Sequence, residues 1–520
     1  MLFIKLFLSY GLAVFLVRGD AVPCVSRKFD QDSTVCVCNS TYCDAPGIEG
    51  GGLLWTYFNT FTTTKDGLRL YRDLGTFDDQ VTPNKYVFTV GNNTRQMILG
   101  FGGAFTDAAT MTMNSLSPQT RHRLIASYFE QNGLEYTMGR IPMASNEFSN
   151  RVYSYDDVAD DFELTNFKLP DEDIKFKLPA IRDAVRASKR NVTLFGTPWS
   201  SPSWMKTNGN MSGPGTIKDG EQFLNTWAKY FVQFIKRYTE LGVNIWAMTV
   251  QNEPSDGFKE NFPYQCLGWT AETQRDFISK FLGPALKDNG LDYVKLIILD
   301  DQRTFLPSWP GVVLNDPSVA PYVSGIAVHW YADDNVSTNV LDETYFDFGD
   351  EYFLLNTEAA IRDEFDKSNT VRLGDWQRGE RYFIDILQDL KHGVSGWVDS
   401  NLALDMNGGP SWAGNEADSA VIVNTDKDEF YKQPMFYAMG HFSKFVRPGS
   451  KMLEYSTNLP NDSDLKAIFF TRLDDSIAAN FVNTNENEIY NITITDYRVP
   501  GYLNYQIFPK TFITFIWYRI

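Results

Sequence analysis

The chain runs to 520 residues, 43% hydrophobic and 22% charged, with a net charge of -18 at neutral pH. That length exceeds one small core and points to roughly two to four domains, or one large barrel with an appendage. The acidic balance argues against a nucleic-acid binder, which presents a basic face, and suits a protein working in acid, where carboxylates are partly protonated and self-repulsion falls.

The first residues have the layout of a secretory signal peptide. Lys5 supplies the positive start, residues 6–17 an apolar run, and Gly19 and Ala21 the small residues near a cleavage site. The run is too short to span a bilayer, so residues 1–21 are read as a signal peptide. Four of the five cysteines follow at once: Cys24, Cys36, Cys38 and Cys43. In a secreted chain this spacing predicts two disulfides, with three connectivities open and Cys36–Cys38 too close to pair readily. A zinc site is the weaker reading, because no histidine accompanies the cysteines. Cys266 is left over as a free, buried thiol. Seven N-x-S/T sequons, at Asn39, Asn92, Asn191, Asn210, Asn335, Asn461 and Asn491, are candidate glycosylation sites.

Residues 22–95 carry the cysteine knot and alternating runs such as "LLWTYFNTF" and "KYVFTV", expected to be half-buried antiparallel strands. From 96 to about 430 one theme repeats, an apolar strand ending in polar or aromatic residues and followed by helical material. The eight strand candidates are "MILGFGGA", "YTMGRIPMAS", "VTLFGTPWSS", "IWAMTVQNEP", "VKLIILDD", "GIAVHWYA", "YFLLNTEAA" and "SGWVDSNLAL". Between the third and fourth, residues 222–241 place Phe223, Trp227, Tyr230, Phe231 and Phe234 on one helical stripe. Eight such units make a parallel (β/α)8 barrel of the TIM type, with chemistry at the C-terminal strand ends. The rival, a doubly wound sheet with a dinucleotide loop, fails at "GFGGAF", where Phe105 takes the place of the third glycine. Residues 431–520 become short strands again and are expected to form, with the N-terminal strands, an all-β sandwich beside the barrel.

Several chemistries can be set aside. The four histidines, His122, His329, His392 and His441, form no HExxH or other zinc pattern. A nucleophile elbow is missing, since "GPSWA" fails at its last position, and so is a phosphate loop. No metal and no organic cofactor is expected. Carboxylates remain. Breaking a glycosidic bond needs one acid to protonate the leaving oxygen and a second carboxylate to attack or to activate water. Glu253 closes the fourth run and Glu358 the seventh, so a barrel would aim both into one mouth. One glutamate at a strand end is usually a salt bridge or a cap; two, each after a buried run, favour chemistry.

The set "CVCNSTYCD", "GFGGAFTDAA", "TPWSSPSWMKTNG", "NEPS", "LGPALKDNG", "LDDQR", "GIAVHWY" and "YKQPMFYAMGHFSKF" resembles the acid β-glucosidases (glucosylceramidases) of glycoside hydrolase family 30, over nearly the whole chain. The resemblance implies a retaining mechanism on glucosylceramide, with Glu253 as acid/base and Glu358 as nucleophile. By position it implies that Asn252 holds the substrate 2-hydroxyl and that Arg140 orients the nucleophile. Trp199 and Asn415 would line the glucose subsite, and Tyr331 would sit on a mobile loop near the nucleophile. His329 would buttress the pocket, and Phe262 and Tyr264 would form its entrance. It further implies a lysosomal location in the lumen, peripheral to the membrane, with a saposin-type activator and anionic lipid as partners. Three departures stand out. "GWVDSN" has Ser400 where the family pattern Gly-Trp-Thr-Asp-Trp-Asn has a sugar-facing tryptophan. Glu147 stands in place of an aspartate that grips sugar hydroxyls. Asn146 and Ala360 replace cysteines. The first two bear on substrate preference, leaving as alternatives a family-30 hydrolase of another glycolipid or β-glycan, or a glycolipid-binding paralogue with weakened turnover.

Overall fold

The computed structural model describes residues 21–49, 56–79, 84–362 and 370–519. The expected signal peptide lies outside the described residues, apart from Ala21. Eight parallel strands close into a barrel: β1 (Gly100–Ala104), β2 (Met138–Met143), β3 (Thr193–Pro198), β4 (Ala247–Thr249), β5 (Lys295–Gln302), β6 (Val323–His329), β7 (Phe353–Glu358) and β8 (Val394–Asp399), with β8 pairing back onto β1 at Gly396↔Gly100. Each expected run supplies one strand. The interior is filled by one residue from each of seven strands, Met138, Phe195, Ala247, Ile297, Ala327, Leu355 and Val398. Such a packed layer makes the barrel a core and not a pore. In β1 a glycine is required: a Cβ on Gly102 would lie 1.9 Å from the Met138 carbonyl oxygen. The glycines of "GFGGAF" therefore serve close strand approach, not phosphate binding.

The amphipathic stripe forms the helix Glu221–Glu240, burying Trp227, Tyr230, Phe231 and Phe234 against the barrel core while Phe223 stays half-buried. It ends at Gly242, whose φ of 80° is the left-handed conformation that glycine supplies past a helix C-terminus.

The second unit is one nine-stranded sheet, in the order Tyr502–Ile507, Tyr490–Thr495, Tyr86–Met97, Lys451–Thr457, Leu465–Thr471, Ser476–Asn483, Thr511–Tyr518, Tyr57–Thr64, Tyr71–Thr76. Its faces follow the strand period of two. Phe469, Ile477, Phe481, Ile513 and Phe515 build its own core. Their alternates Phe470, Ala478, Val482, Phe512 and Ile516 join the core shared with the barrel, where Phe512 stacks on Trp376 at 4.5 Å.

Two assignments differ from the sequence reading. The knot strands Ser26–Lys28 and Thr34–Asn39 do not enter this sheet; Thr34–Asn39 pairs with Glu429–Lys432, which pairs in turn with Val421–Asn424, in a separate five-stranded sheet. Arg27 secures that join by donating to both carboxylate oxygens of Glu429, at 2.6 and 3.0 Å. Residues beyond 430 also begin with a helix, Pro434–Ser443. Every residue of it is buried, and it packs on the helix Trp376–Lys391 and on β1 as part of the barrel wall. The disulfides are Cys24–Cys36 and Cys38–Cys43, so those thiols are not metal ligands, and Cys266 is free and buried. Of the sequon asparagines, five are exposed and Asn39 and Asn491 are half-buried. Among the described residues no helix is long and apolar enough to cross a membrane.

Candidate active site

Glu358 is the last residue of β7. Glu253 lies four residues past the end of β4, which stops at Thr249, so it does not close its strand as the sequence suggested. The extension is carried across the barrel mouth by backbone bonds, Asn252 N to Pro198 O (2.9 Å) and Glu253 N to Asp300 O (2.8 Å). Glu253 then adopts φ 39°, ψ 64° and Pro254 opens a short 3-10 turn. Left-handed backbone at a non-glycine residue costs about 1–3 kcal/mol and persists where its surroundings fix it. Asp300 (φ 60°) and Leu299 (φ 67°) share this conformation beside a bulge in the β5–β6 ladder.

Behind the two glutamates is a buried charge network. Asp300, fully buried, accepts from Arg140 Nη2 (2.8 Å), His329 Nε2 (3.0 Å) and Thr357 Oγ1 (2.5 Å). These partners hold its carboxyl well below the usual range despite burial. Arg140 also donates to Glu358 Oε2 and, at 2.9 Å, to Asn252 Oδ1. That second bond fixes the Asn252 amide so that its Nδ2 faces away from Arg140. The Arg140 guanidinium lies 4.7 Å from the Trp199 ring centroid. His329 bridges the network to Glu253 Oε1 at 3.1 Å. Burial would lower its pKa, but the bonds to Asp300 and Glu253 raise it to about 10, so both ring nitrogens donate.

The two carboxyls are held in opposite states. Burial, reinforced by the Asp256 charge, pushes Glu253 well above the usual range, against the pull of His329. Its Oε1 accepts from both His329 and Gln302 Nε2 (2.7 Å), which leaves Oε2 to carry the proton. Glu358 is the more buried of the two, yet the cations Arg140, His329 and Arg362 and the Tyr331 hydroxyl, 2.7 Å from Oε1, overcome burial and hold it below the usual range. Both open onto a cavity of about 510 Å³ lined also by Glu147, Trp199, Asn252, Tyr331 and Asn415. The structure thus gathers Glu147, Trp199, Asn252, Glu253, Tyr331, Glu358 and Asn415 on one cavity, with Arg140 and His329 just behind its wall.

A model of the glycosyl hydrolase family 30 TIM-barrel domain matches residues 98–446. The chain belongs to glycosyl hydrolase family 30. The mouse lysosomal acid glucosylceramidase is 43% identical over 96% of this chain and 96% of its own. A Caenorhabditis elegans relative is 40% identical over 98% of this chain and 99% of its own. The crystal structure of SrfJ from Salmonella typhimurium superposes with a TM-score of 0.80, at 24% identity, over 89% of this chain and 100% of its own, a likeness of fold. The protein is a glycosidase of this family, and its relatives include, besides the mouse glucosylceramidase, an endo-1,6-β-D-glucanase of Aspergillus fumigatus at 28% identity.

Within this family-30 site the departures take definite form. Ser400 is buried and lies off the cavity wall, its Oγ accepting from Asn401 Nδ2 at 3.2 Å. Glu147 is on the wall, 7% exposed; Oε1 meets Arg362 Nη2 at 3.4 Å, and Oε2 is buried without a partner. Burial and the Glu358 charge push Glu147 up to about 7. Ala360 is also on the wall, and Phe262 and Tyr264 meet edge to face at 5.5 Å. Sequence reasoning gave no role to Asp300, Gln302 or Arg362. The quoted "LDDQR" contains the first two, but the motif alone does not say which aspartate faces the cavity.

Proposed function

We propose that this protein is a retaining β-glucosidase that hydrolyses glucosylceramide to glucose and ceramide, with Glu358 as nucleophile and Glu253 as acid/base. The observation that carries the reading is the opposed ionisation of two carboxyls on one cavity. The attacking group must be ionised, and the acid must keep its proton until the leaving oxygen needs it. In the first step a Glu358 oxygen bonds to the anomeric carbon as the glycosidic C–O bond breaks, and the Oε2 proton of Glu253 passes to the departing oxygen. In the second, ionised Glu253 takes a proton from water, whose oxygen displaces Glu358 from the same carbon and regenerates both groups. The free Nδ2 of Asn252 suits donation to the sugar hydroxyl next to the anomeric carbon, while Trp199 and Asn415 line the sugar site. By its likeness to the mouse lysosomal enzyme, the chain acts in the lysosome; an anionic membrane surface and a saposin-type activator are the partners that the family resemblance of its sequence implies.

The test is hydrolysis of a fluorogenic β-glucoside and of glucosylceramide by wild type, Glu358→Gln and Glu253→Gln, with the anomeric form of the first-released glucose read by NMR. Retention of the β form is expected. Loss of either carboxyl should lower kcat, by about 10²–10⁴-fold for the acid. For Glu253→Gln, azide should restore turnover of substrates with activated leaving groups. Inversion, or full activity in Glu358→Gln, would sink the assignment.

A further inference from the structure

We propose that Arg362 is a sugar-contacting, specificity-determining residue, the donor half of a donor–acceptor pair whose acceptor half is Glu147. The proposal rests on the cavity being the sugar site. Arg362 follows a backbone segment pinned from three sides: Ser400 N donates to Ala359 O (3.0 Å), Trp330 Nε1 to Ala360 O (3.1 Å) and Asp418 N to Ile361 O (2.8 Å). Past this anchored stretch the Arg362 guanidinium lies 5.1 Å from the Tyr331 ring centroid and 5.6 Å from that of Phe148. It reaches the cavity wall four residues beyond Glu358.

Its polar atoms are poorly used by the protein. Among the described residues its one ion pair is the long 3.4 Å contact from Nη2 to Glu147 Oε1. Arg362 Nε is buried with no partner, and so is Glu147 Oε2. A guanidinium has donors only, and the Glu147 carboxyl offers acceptors in either protonation state, with one O–H donor as well when it is neutral. Both residues line the cavity and the Arg362 side chain is 25% exposed, so a guanidinium held by one long bond beside a half-used carboxyl is complementary to a ligand that accepts at one atom and donates at the next. Adjacent hydroxyls of a sugar ring do this. An ammonium group in place of the hydroxyl facing Arg362 would be repelled, and hydroxyls, which both donate and accept, fit Glu147 in either state, so the pair suits a neutral polyhydroxyl ring. With a buried serine at position 400 set away from the wall, discrimination at this end of the cavity falls to these polar groups.

The rival role for Arg362 is purely electrostatic, as one of the cations that keep Glu358 ionised. Arg362→Lys separates the two: it keeps the charge but loses the planar fork of donors. The probes are a glucose-configured iminosugar and its set of mono-deoxy analogues, bound to wild type, Arg362→Lys and Arg362→Met and measured by calorimetry. One analogue should bind wild type about tenfold or more weakly than the parent, the loss expected for a hydrogen bond to a charged group. In both variants that ratio should fall towards one, while the ratios for the other analogues stay as in wild type. The pH profile of β-glucoside hydrolysis should keep its acid limb in Arg362→Lys. Unchanged ratios for every analogue in both variants would overturn the proposal, as would failure of wild type to bind the parent. Because the readout is binding, a wild type that binds with the expected ratios but hydrolyses no β-glucoside would refute the enzymatic reading and leave this inference standing.

Discussion

Tyr331→Phe isolates one of the forces that keep Glu358 ionised. The hydroxyl donates to Glu358 Oε1 at 2.7 Å, and burial raises the Tyr331 pKa well above its usual value, so it remains a donor throughout the acid range. The phenyl ring would keep its contact with the Arg362 guanidinium, so folding should change little. A hydrogen bond to a charged group is worth about 1.5–3 kcal/mol, or roughly 10- to 150-fold in an equilibrium constant. The sign follows from which form is favoured. Glu358 sits below the usual range because its charged form is stabilised, so removing a donor raises its pKa and moves the acid limb of kcat/KM to higher pH. On that limb the loss should approach about 10- to 100-fold, shrinking on the plateau where Glu358 is ionised in both proteins. Arg140, His329 and Arg362 remain, so the limb should move and not disappear. The assay is kcat/KM for a fluorogenic β-glucoside across the acid range, with thermal unfolding as a control. A uniform drop at every pH with the limb in place would refute the argument, because it would place the hydroxyl's effect on the substrate and not on Glu358.

Three further outcomes are expected. Asp300→Asn leaves Arg140 and His329 without their shared buried anion, and should cost about 3–5 kcal/mol in denaturant unfolding together with most activity; an unchanged midpoint would contradict the network. His441 is buried between Thr63 and Thr514, and burial pushes its pKa down to about 3. As pH falls below about 6.5 the unfolded chain takes up this proton and the folded protein does not, so stability is lost in that window, by about 2 kcal/mol at pH 5. His441→Gln should therefore show a correspondingly shallower fall in stability with acid, and an identical slope would refute it. With a net charge of -18 at neutral pH, the chain should bind anionic vesicles more strongly near about pH 5 than near about pH 7; equal sedimentation at both would count against membrane docking in acid.

What could be read in advance divides along physical lines. The eight barrel strands were legible because strands covered on both faces leave continuous apolar runs, and Glu253 and Glu358 because each run ends in an acid. The pairing of the knot strand Thr34–Asn39 with residues 429–432 was not, since strand partnership between segments nearly four hundred residues apart leaves no local pattern. Asp300 shows the deeper difficulty. Strand alternation would assign Asp300 and Asp301 to opposite faces, but the bulge pairs Asp301 with Val328 of β6 and leaves Asp300 as the extra residue. Asp300 thereby reaches Arg140 and His329, while Asp301 accepts from the Ser255 and Gln302 amides. The left-handed backbone at Glu253, Leu299 and Asp300 carries no glycine to announce it. It is imposed by the same cross-strand bonds that aim the acid, including the one from Glu253 N to Asp300 O. Periodicity thus locates the two cavity carboxyls, while their protonation states depend on residues placed where periodicity breaks. A substitution that straightened the bulge at Leu299 would be felt at Glu253 and Glu358 without touching either, through the loss of Asp300 as the partner of Arg140 and His329.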